Sequence, residues 1–470
     1  MHHTLLLHMA ALDCVSNWTV SMKKNLEKVQ RKAQNPNDAP DGLNDGGQDG
    51  RTHEWTGEPM YLPDEIIVEI LGYVIRDEHA QKTLASCCKL SHQWYDAAVP
   101  LLYRNPYLYG KNFDPFQRSI CPSINLHVRK SPLSELVRTL DMGHLVHQGS
   151  KSLTARMFGR TKNSLEVFVA PQASFGSNCF PALSRCHRLQ SLDLSLVSEC
   201  PPLPELFKTV AHLESLQTFR LPRSAGFGVH HKPGEFVWPS NLKNLSLSGG
   251  IDAHFQRGVV AFPQTLRSLT IEHCPLAKSL AVTHLLRAAV RPLKKLESLT
   301  IRNMPQLGSH ALDDVLFLLP QIQRLSVSVD YITPALFDES HYLHTKEAMI
   351  LLPEDDDFTM PVDGFQHTKL RVLELTYSGK SGVEDKISPI DIMIAIDEGT
   401  VPRLRQVRVA KALLWQSSNT ASEAEALADV LHERSKHDWE QREGPFASMP
   451  EERYQKADWE SIAGVWQTDG

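Results

Sequence analysis

Between residues 137 and 409 an apolar–x–x–apolar–x–apolar pattern returns ten times. It begins at Val137-x-x-Leu140-x-Met142, followed by a weaker copy at Leu165-x-x-Phe168-x-Ala170. The next copies start at Leu189, Leu216, Leu242, Leu266, Leu296, Ile322, Leu370 and Leu404. In each, the last three or four residues alternate apolar and polar, which predicts a short strand with one buried face. Between copies lie apolar residues at helical spacing, for example Val282 to Val290 and Ala311, Leu312, Val315, Leu316, Leu318, Leu319.

Seven of the nine steps between copies span 24 to 30 residues; the last two are 48 and 34. One such unit leaves its apolar side in water, and stacking the units buries those sides in one continuous core. The period is that of a leucine-rich repeat, about 20 to 29 residues. The expected fold class is therefore α/β: a leucine-rich-repeat solenoid, with a curved parallel sheet and outer helices, over residues 111–410. A doubly wound sheet also alternates strand and helix, but the fixed period and very short strands favour the solenoid. The long step holds an insertion at 333–366 with eight acids between Asp338 and Asp363, expected as a loop on one face. Residues 411–470 carry twelve acids and six bases. They are expected to form an acidic C-terminal cap or tail, with Trp439, Trp459 and Trp466 docking on the last repeat.

Before the repeats the pattern changes. Residues 34 to 58 are polar and rich in Gly, Pro and Asn, too poor in apolar surface to offset the entropy of ordering. Residues 1–59 are expected to be a disordered region with a short basic helix near Ser21 to Gln34. Ordered structure is expected from Tyr61. Pro63, Asp64 and Glu65 suit a first helical turn, and Ile66, Ile67, Ile70, Leu71 and Val74 fall on one wide helical face. A second helix is expected over Thr83 to Leu90. A third, capped by Ser91, is expected over Gln93 to Val99, ending at Pro100.

Composition narrows the function. The 470 residues are 41% apolar and 22% charged, enough for a large core, and the formal net charge is -6. That balance makes nucleic acid a poor default partner, and no apolar run approaches the roughly 18 to 20 residues of a membrane span. The eight cysteines include no C-x-x-C pair, which argues against a disulfide framework or a zinc ribbon and for the cytoplasm or nucleus. Thr4 to Leu12 is mildly apolar but lacks the basic flank of a signal peptide. The sequons at Asn17 and Asn244 carry little meaning in a cytosolic chain.

No catalytic motif is present: no H-E-x-x-H, G-x-S-x-G, Walker loop or G-x-G-x-x-G. Gly226-Phe227-Gly228 reads as a turn, His230-His231 lacks further ligands at metal spacing, and the contiguous acids Glu354 to Asp357 lack the alternation and glycine of a calcium loop. Cys87 and Cys88 read as small core residues. No cofactor and no metal are expected. The strand residues between the apolar ones form a recognition surface on the concave side. Its central column is Asp193, Arg220, Ser246, Thr270, Thr300, Ser326, Glu374 and Arg408, and the next column includes Glu272 and Arg302. Substrate contacts are expected there at Asp193, Arg220, Glu272, Arg302, Glu374 and Arg408. The column has small hydroxyls and isolated charges but no aromatic anchor.

The run Leu62-Pro63-Asp64-Glu65-Ile66-Ile67-Val68-Glu69-Ile70-Leu71-Gly72-Tyr73-Val74 resembles the opening of an F-box. Leu84 to Tyr95 resembles its second half, and Pro100 to Asn105 the segment that often follows in fungal members. With the repeats behind, the whole resembles an F-box protein with leucine-rich repeats, the F-box occupying residues 60–110. The resemblance implies a non-catalytic subunit of a cullin-based, SCF-type ubiquitin ligase. In it the F-box docks on a Skp-type adaptor, and through that on a cullin, while the repeats hold a protein substrate. Carried over by position, the adaptor-facing or internal residues are Leu62, Pro63, Ile66, Ile67, Ile70, Leu71, Leu84 and Trp94. The frequent Val-Cys-Arg-x-Trp pattern reads Leu90-Ser91-His92-Gln93-Trp94 here, so its Arg is absent. Periodicity alone leaves another reading open: the same apolar face would serve a cap of the solenoid in a repeat scaffold attached to no ligase.

Overall fold

Each of the ten apolar motifs ends in a strand of one parallel sheet. The computed structural model describes residues 62–77, 79–122, 131–145, 150–223, 225, 236–255, 262–290, 293–338, 368–379, 386–417 and 420–469. The expectations for residues 1–59, for Gly226 to His231 and for the insertion beyond Asp338, including Glu354 to Asp357, lie outside the described residues. The chain divides into two compact units between Tyr107 and Leu108.

Among the described residues the first unit has three helices: α1 (Asp64–Val74), α2 (Ala80–Cys87) and α3 (His92–Arg104). Ile67, Leu71, Leu84, Cys87 and Ala98 form its core, and Leu62, Val74, Cys88, Trp94, Ala97, Leu101 and Leu102 pack against it. Ser91 caps α3 as expected, its hydroxyl accepting from the Trp94 amide at 3.3 Å. The helix does not end at Pro100 but runs through it to Arg104. Pro100 removes one N–H from the helical ladder, and the packing of Leu101 and Leu102 on the core holds the extra turn in place.

The second unit opens with α4 (Phe113–Ile120) and then builds the sheet. Its strands are β1 (Thr139–Asp141), β2 (Val167–Val169), β3 (Ser191–Asp193), β4 (Thr218–Arg220), β5 (Asn244–Ser248) and β6 (Ser268–Glu272). They continue as β7 (Ser298–Arg302), β8 (Arg324–Ser328), β9 (Val372–Thr376), β10 (Gln406–Ala410) and β11 (Gly464–Thr468). Every strand pairs in parallel with the next in sequence order, the topology of a leucine-rich-repeat solenoid. The longer helices between strands are α5 (Lys151–Thr161), α6 (Leu203–Val210), α7 (Ser279–Val290), α8 (Pro389–Asp397) and α9 (Ala421–Glu440). The apolar stretch from Ala311 to Leu319 is α-helical only over Val315–Leu318.

One hydrogen-bond device joins the repeats. The carbonyl just before a strand accepts two N–H groups from the next repeat: Arg138 O takes Glu166 N at 2.7 Å and Val167 N at 3.0 Å. The same fork recurs down to Arg371 O, which takes Arg405 N and Gln406 N, both at 3.0 Å. Behind it, Leu140, Phe168, Leu192, Phe219, Leu245, Leu269, Leu299, Leu325, Leu373 and Val407 stack as a buried column in register. Early repeats widen the core with aromatics: Phe158 and Phe168 have centroids 4.2 Å apart, and Phe207 lies 4.7 Å from Phe236 and 4.8 Å from Trp238.

The sheet does not stop at Ala410. β11 pairs with β10 from Gln406↔Gly464 to Ala410↔Thr468, so the acidic tail supplies an eleventh repeat whose helix is α9. His432 Nε2 lies 2.9 Å from Ala463 O, Ser435 Oγ donates to Trp459 O at 2.9 Å, and Arg405 forks onto Asp438 with two bonds of 2.8 Å. Trp439 stacks on Tyr454 with ring centres 5.6 Å apart.

Candidate protein-docking surfaces

The wide apolar face of α1 is two rows with different destinations. Ile67 and Leu71 point into the three-helix core and are fully buried, while Ile66 and Ile70 are 42% and 38% exposed. Residues at i, i+4 and i+7 share a helix face, and the outer row continues to Tyr73, 63% exposed with the Arg76 guanidinium 5.6 Å from its ring centre. Of the eight adaptor-facing or internal residues expected from sequence, Pro63, Ile66 and Ile70 lie on the surface. Leu62 and Trp94 are half-buried against the core, and Ile67, Leu71 and Leu84 are core. Tyr73 was not among the expected adaptor-facing residues, and Leu90, which helical spacing turns inward with Leu84 and Cys87, is instead exposed beyond the end of α2. Tyr73 was signalled by the continuing four-then-three spacing after Ile66 and Ile70.

The start of α1 is fastened from α3. Gln93 Nε2 donates to Leu62 O at 2.7 Å and to Asp64 Oδ1 at 2.6 Å. At the far end of α3, Gln81 Nε2 donates to Asn105 O at 3.0 Å. Cys87 is buried and Cys88 half-buried, and desolvation, with Cys87 adjacent, raises the Cys88 thiol above its ordinary value. In the repeats, burial pushes Cys179 up to about 11 and Cys186 up to about 12, so both stay protonated at neutral pH.

The outward-facing column of the sheet is continuous in register: Asp141, Val169, Asp193, Arg220, Ser246, Thr270, Thr300, Ser326, Glu374, Arg408 and Trp466. Four of the six charged residues singled out from sequence pair with one another. Arg220 Nη1 lies 3.2 Å from Asp193 Oδ2, and Arg302 Nε lies 3.1 Å from Glu272 Oε2. Asp193 Oδ1 also accepts from the Ser195 amide at 2.9 Å and its hydroxyl at 2.6 Å, closing the turn after β3. Glu374 and Arg408 face each other across β9 and β10, and Arg408 Nη2 donates to Gln406 Oε1 at 3.3 Å.

Two features of this face depart from the sequence reading. The hydroxyls are not uniformly in solvent, since Ser246, Ser248, Ser326, Ser328 and Thr376 are buried. Ser248 donates to Leu221 O at 3.2 Å and Ser328 to Asp330 Oδ2 at 3.1 Å, so these two hydroxyls serve the fold. The column also has an aromatic: Trp466 of β11 stands beside Arg408.

Together these describe a repeat protein with a small helical module that keeps its own core and a second apolar row on its surface. The F-box-like family model matches residues 60–109. The chain is 31% identical over 373 residues to F-box protein YDR306C of Saccharomyces cerevisiae, covering 76% of this chain and 71% of that protein. It is 26% identical over 361 residues to Protein pof5 of Schizosaccharomyces pombe, covering 76% and 93%. The chain belongs to the F-box protein family. Among solved structures it is similar to a chain of the yeast Rad7 and Elc1 complex (TM-score 0.37, 14% identity, 84% of this chain and 92% of that one). Another is an internalin, inlF, from Listeria monocytogenes (TM-score 0.30, 13% identity, 70% and 88%).

Proposed function

We propose that this F-box protein is the substrate-recognition subunit of an SCF-type ubiquitin ligase. Pro63, Ile66 and Ile70 dock on a Skp-type adaptor, the adaptor joins the chain to a cullin, and the repeat sheet binds a protein substrate. The observation that supports this best is the split face of α1: Ile67 and Leu71 complete the helical core, leaving Ile66, Ile70 and Tyr73 in solvent. Contiguous exposed apolar surface of this kind marks interaction sites. The chain supplies no catalytic group in this reading. It raises the effective concentration of a substrate lysine near a charged conjugating enzyme. The setting is the cytoplasm, the nucleus or both.

The test is co-elution of the full chain with a purified Skp-type adaptor. Ile66→Asp with Ile70→Asp is expected to abolish the complex and leave thermal unfolding unchanged, because each carboxylate would be buried unpaired only on docking. Equal co-elution of wild type and variant places the docking face elsewhere. Failure of the wild-type chain to bind the adaptor leaves a leucine-rich-repeat scaffold attached to no ligase.

A further inference from the structure

Leu62 and Asp64 flank Pro63, and both are held by one side chain, 31 and 29 residues further along the chain. A primary amide has two N–H donors, and those of Gln93 meet the Leu62 carbonyl and the Asp64 carboxylate at 2.7 and 2.6 Å. Helix α1 has no ordinary side-chain cap: Pro63 sits at its N-cap with no side-chain bond to the first turn. What fixes the direction of the chain into α1 is therefore the amide of Gln93, from the first turn of α3. Gln93 is half-buried and is not among the side chains of the three-helix core, which Ile67, Leu71, Leu84, Cys87 and Ala98 form.

We propose that Gln93 is a positioning residue for the docking face, setting how Leu62, Pro63 and Ile66 are presented to the adaptor without carrying the stability of the module. The proposal rests on the adaptor-docking reading above.

Full-length variants separate this role from a structural one. Gln93→Met keeps the length of the side chain and removes the donors. Gln93→Arg keeps donors that reach both acceptors. Loss of the two bonds predicts adaptor affinity about tenfold weaker for Gln93→Met, with Gln93→Arg close to wild type; Asp64 is exposed and Leu62 half-buried, so in the free chain water replaces the lost donors and the melting temperature of both stays close to wild type. In Asp64→Ala the Met substitution is expected to weaken binding less than in wild type, because the two residues share one interaction. Wild-type affinity in Gln93→Met, or equal weakening by Met and Arg, overturns the proposal. If Gln93→Met instead lowers the melting temperature and binding together, the role is structural and the proposal fails. A wild-type chain that does not bind the adaptor overturns the docking reading itself, and this inference with it.

Discussion

Lys386 Nζ lies 2.7 Å from Asp330 Oδ1, and both side chains are withdrawn from solvent. They are 56 positions apart and flank β9, one following β8 and the other preceding α8. The other carboxylate oxygen accepts from the Ser378 amide at 2.9 Å, from the Ser378 hydroxyl, and from Ser328 Oγ at 3.1 Å. The pair thus ties together the repeats on either side of the long step in the sequence.

Lys386→Met removes the 2.7 Å ion pair of the buried Asp330 carboxylate. Breaking one side of a buried pair predicts a loss of about 3 to 5 kcal/mol, with a smaller loss when Asp330→Asn is added, since the second change removes the buried charge. Urea unfolding of the three proteins checks both statements.

The same site makes stability pH-dependent. Burial alone raises the Asp330 carboxyl, but the bonds from Lys386 and Ser378 outweigh it and hold it well below the ordinary carboxylate value of 3.8. A depressed native value contributes stability that is present above the unfolded-state value and lost as pH falls toward the native one. Acid unfolding is therefore expected to begin below about pH 4 at this site, and the slope there flattens in Asp330→Asn. Stability measured as a function of pH on both proteins decides it; identical slopes would remove Asp330 from the account.

The tail is a structural repeat, so its anchor counts toward stability. Asp438→Ala removes both bonds from Arg405 and strands a guanidinium that is mostly buried, for a predicted loss of about 3 kcal/mol. Hydrogen exchange at β11 is expected to accelerate first, because Asp438 lies on α9, which also holds Ala463 through His432. Unchanged protection of Val465 and Trp466 would show that β11 is held without α9.

On the outward face, position in the column does not set a residue's role. Asp193→Ala removes three bonds and is expected to destabilise by about 1 to 2 kcal/mol, with Asp193→Asn losing less because an oxygen still accepts from Ser195. Arg408→Ala removes one bond to Gln406 and is expected to change stability by less than about 0.5 kcal/mol. Chemical denaturation orders the three. Such an outcome makes Arg408, beside Trp466, a position on this face that can be changed without disturbing the fold.

Ten strands were legible from sequence because a strand of period two leaves a mark within six residues, as at Leu269-x-Ile271 and Leu299-x-Ile301. β11 was not, because Ile462-x-x-Val465 is followed by Gln467 where an apolar residue is expected. An edge strand, covered by a neighbour on one side only, tolerates that glutamine. The stop assigned at Pro100 failed for a different reason: a local rule about one missing N–H met the packing of Leu101 and Leu102.

What the sequence by itself determined was the repeat, its period, the helical module before it and the family that module belongs to, since all of these are periodic or local. Tertiary structure alone decided which isoleucines of α1 face outward, that Gln93 holds Leu62 and Asp64, that Asp330 meets Lys386, and that Trp466 joins the column beside Arg408. Ile66 and Ile67 are chemically the same residue one position apart, and only the placement of α2 and α3 separates core from surface. Partners brought together across thirty or fifty-six residues leave no spacing in the chain to be read; they exist only once the units have stacked.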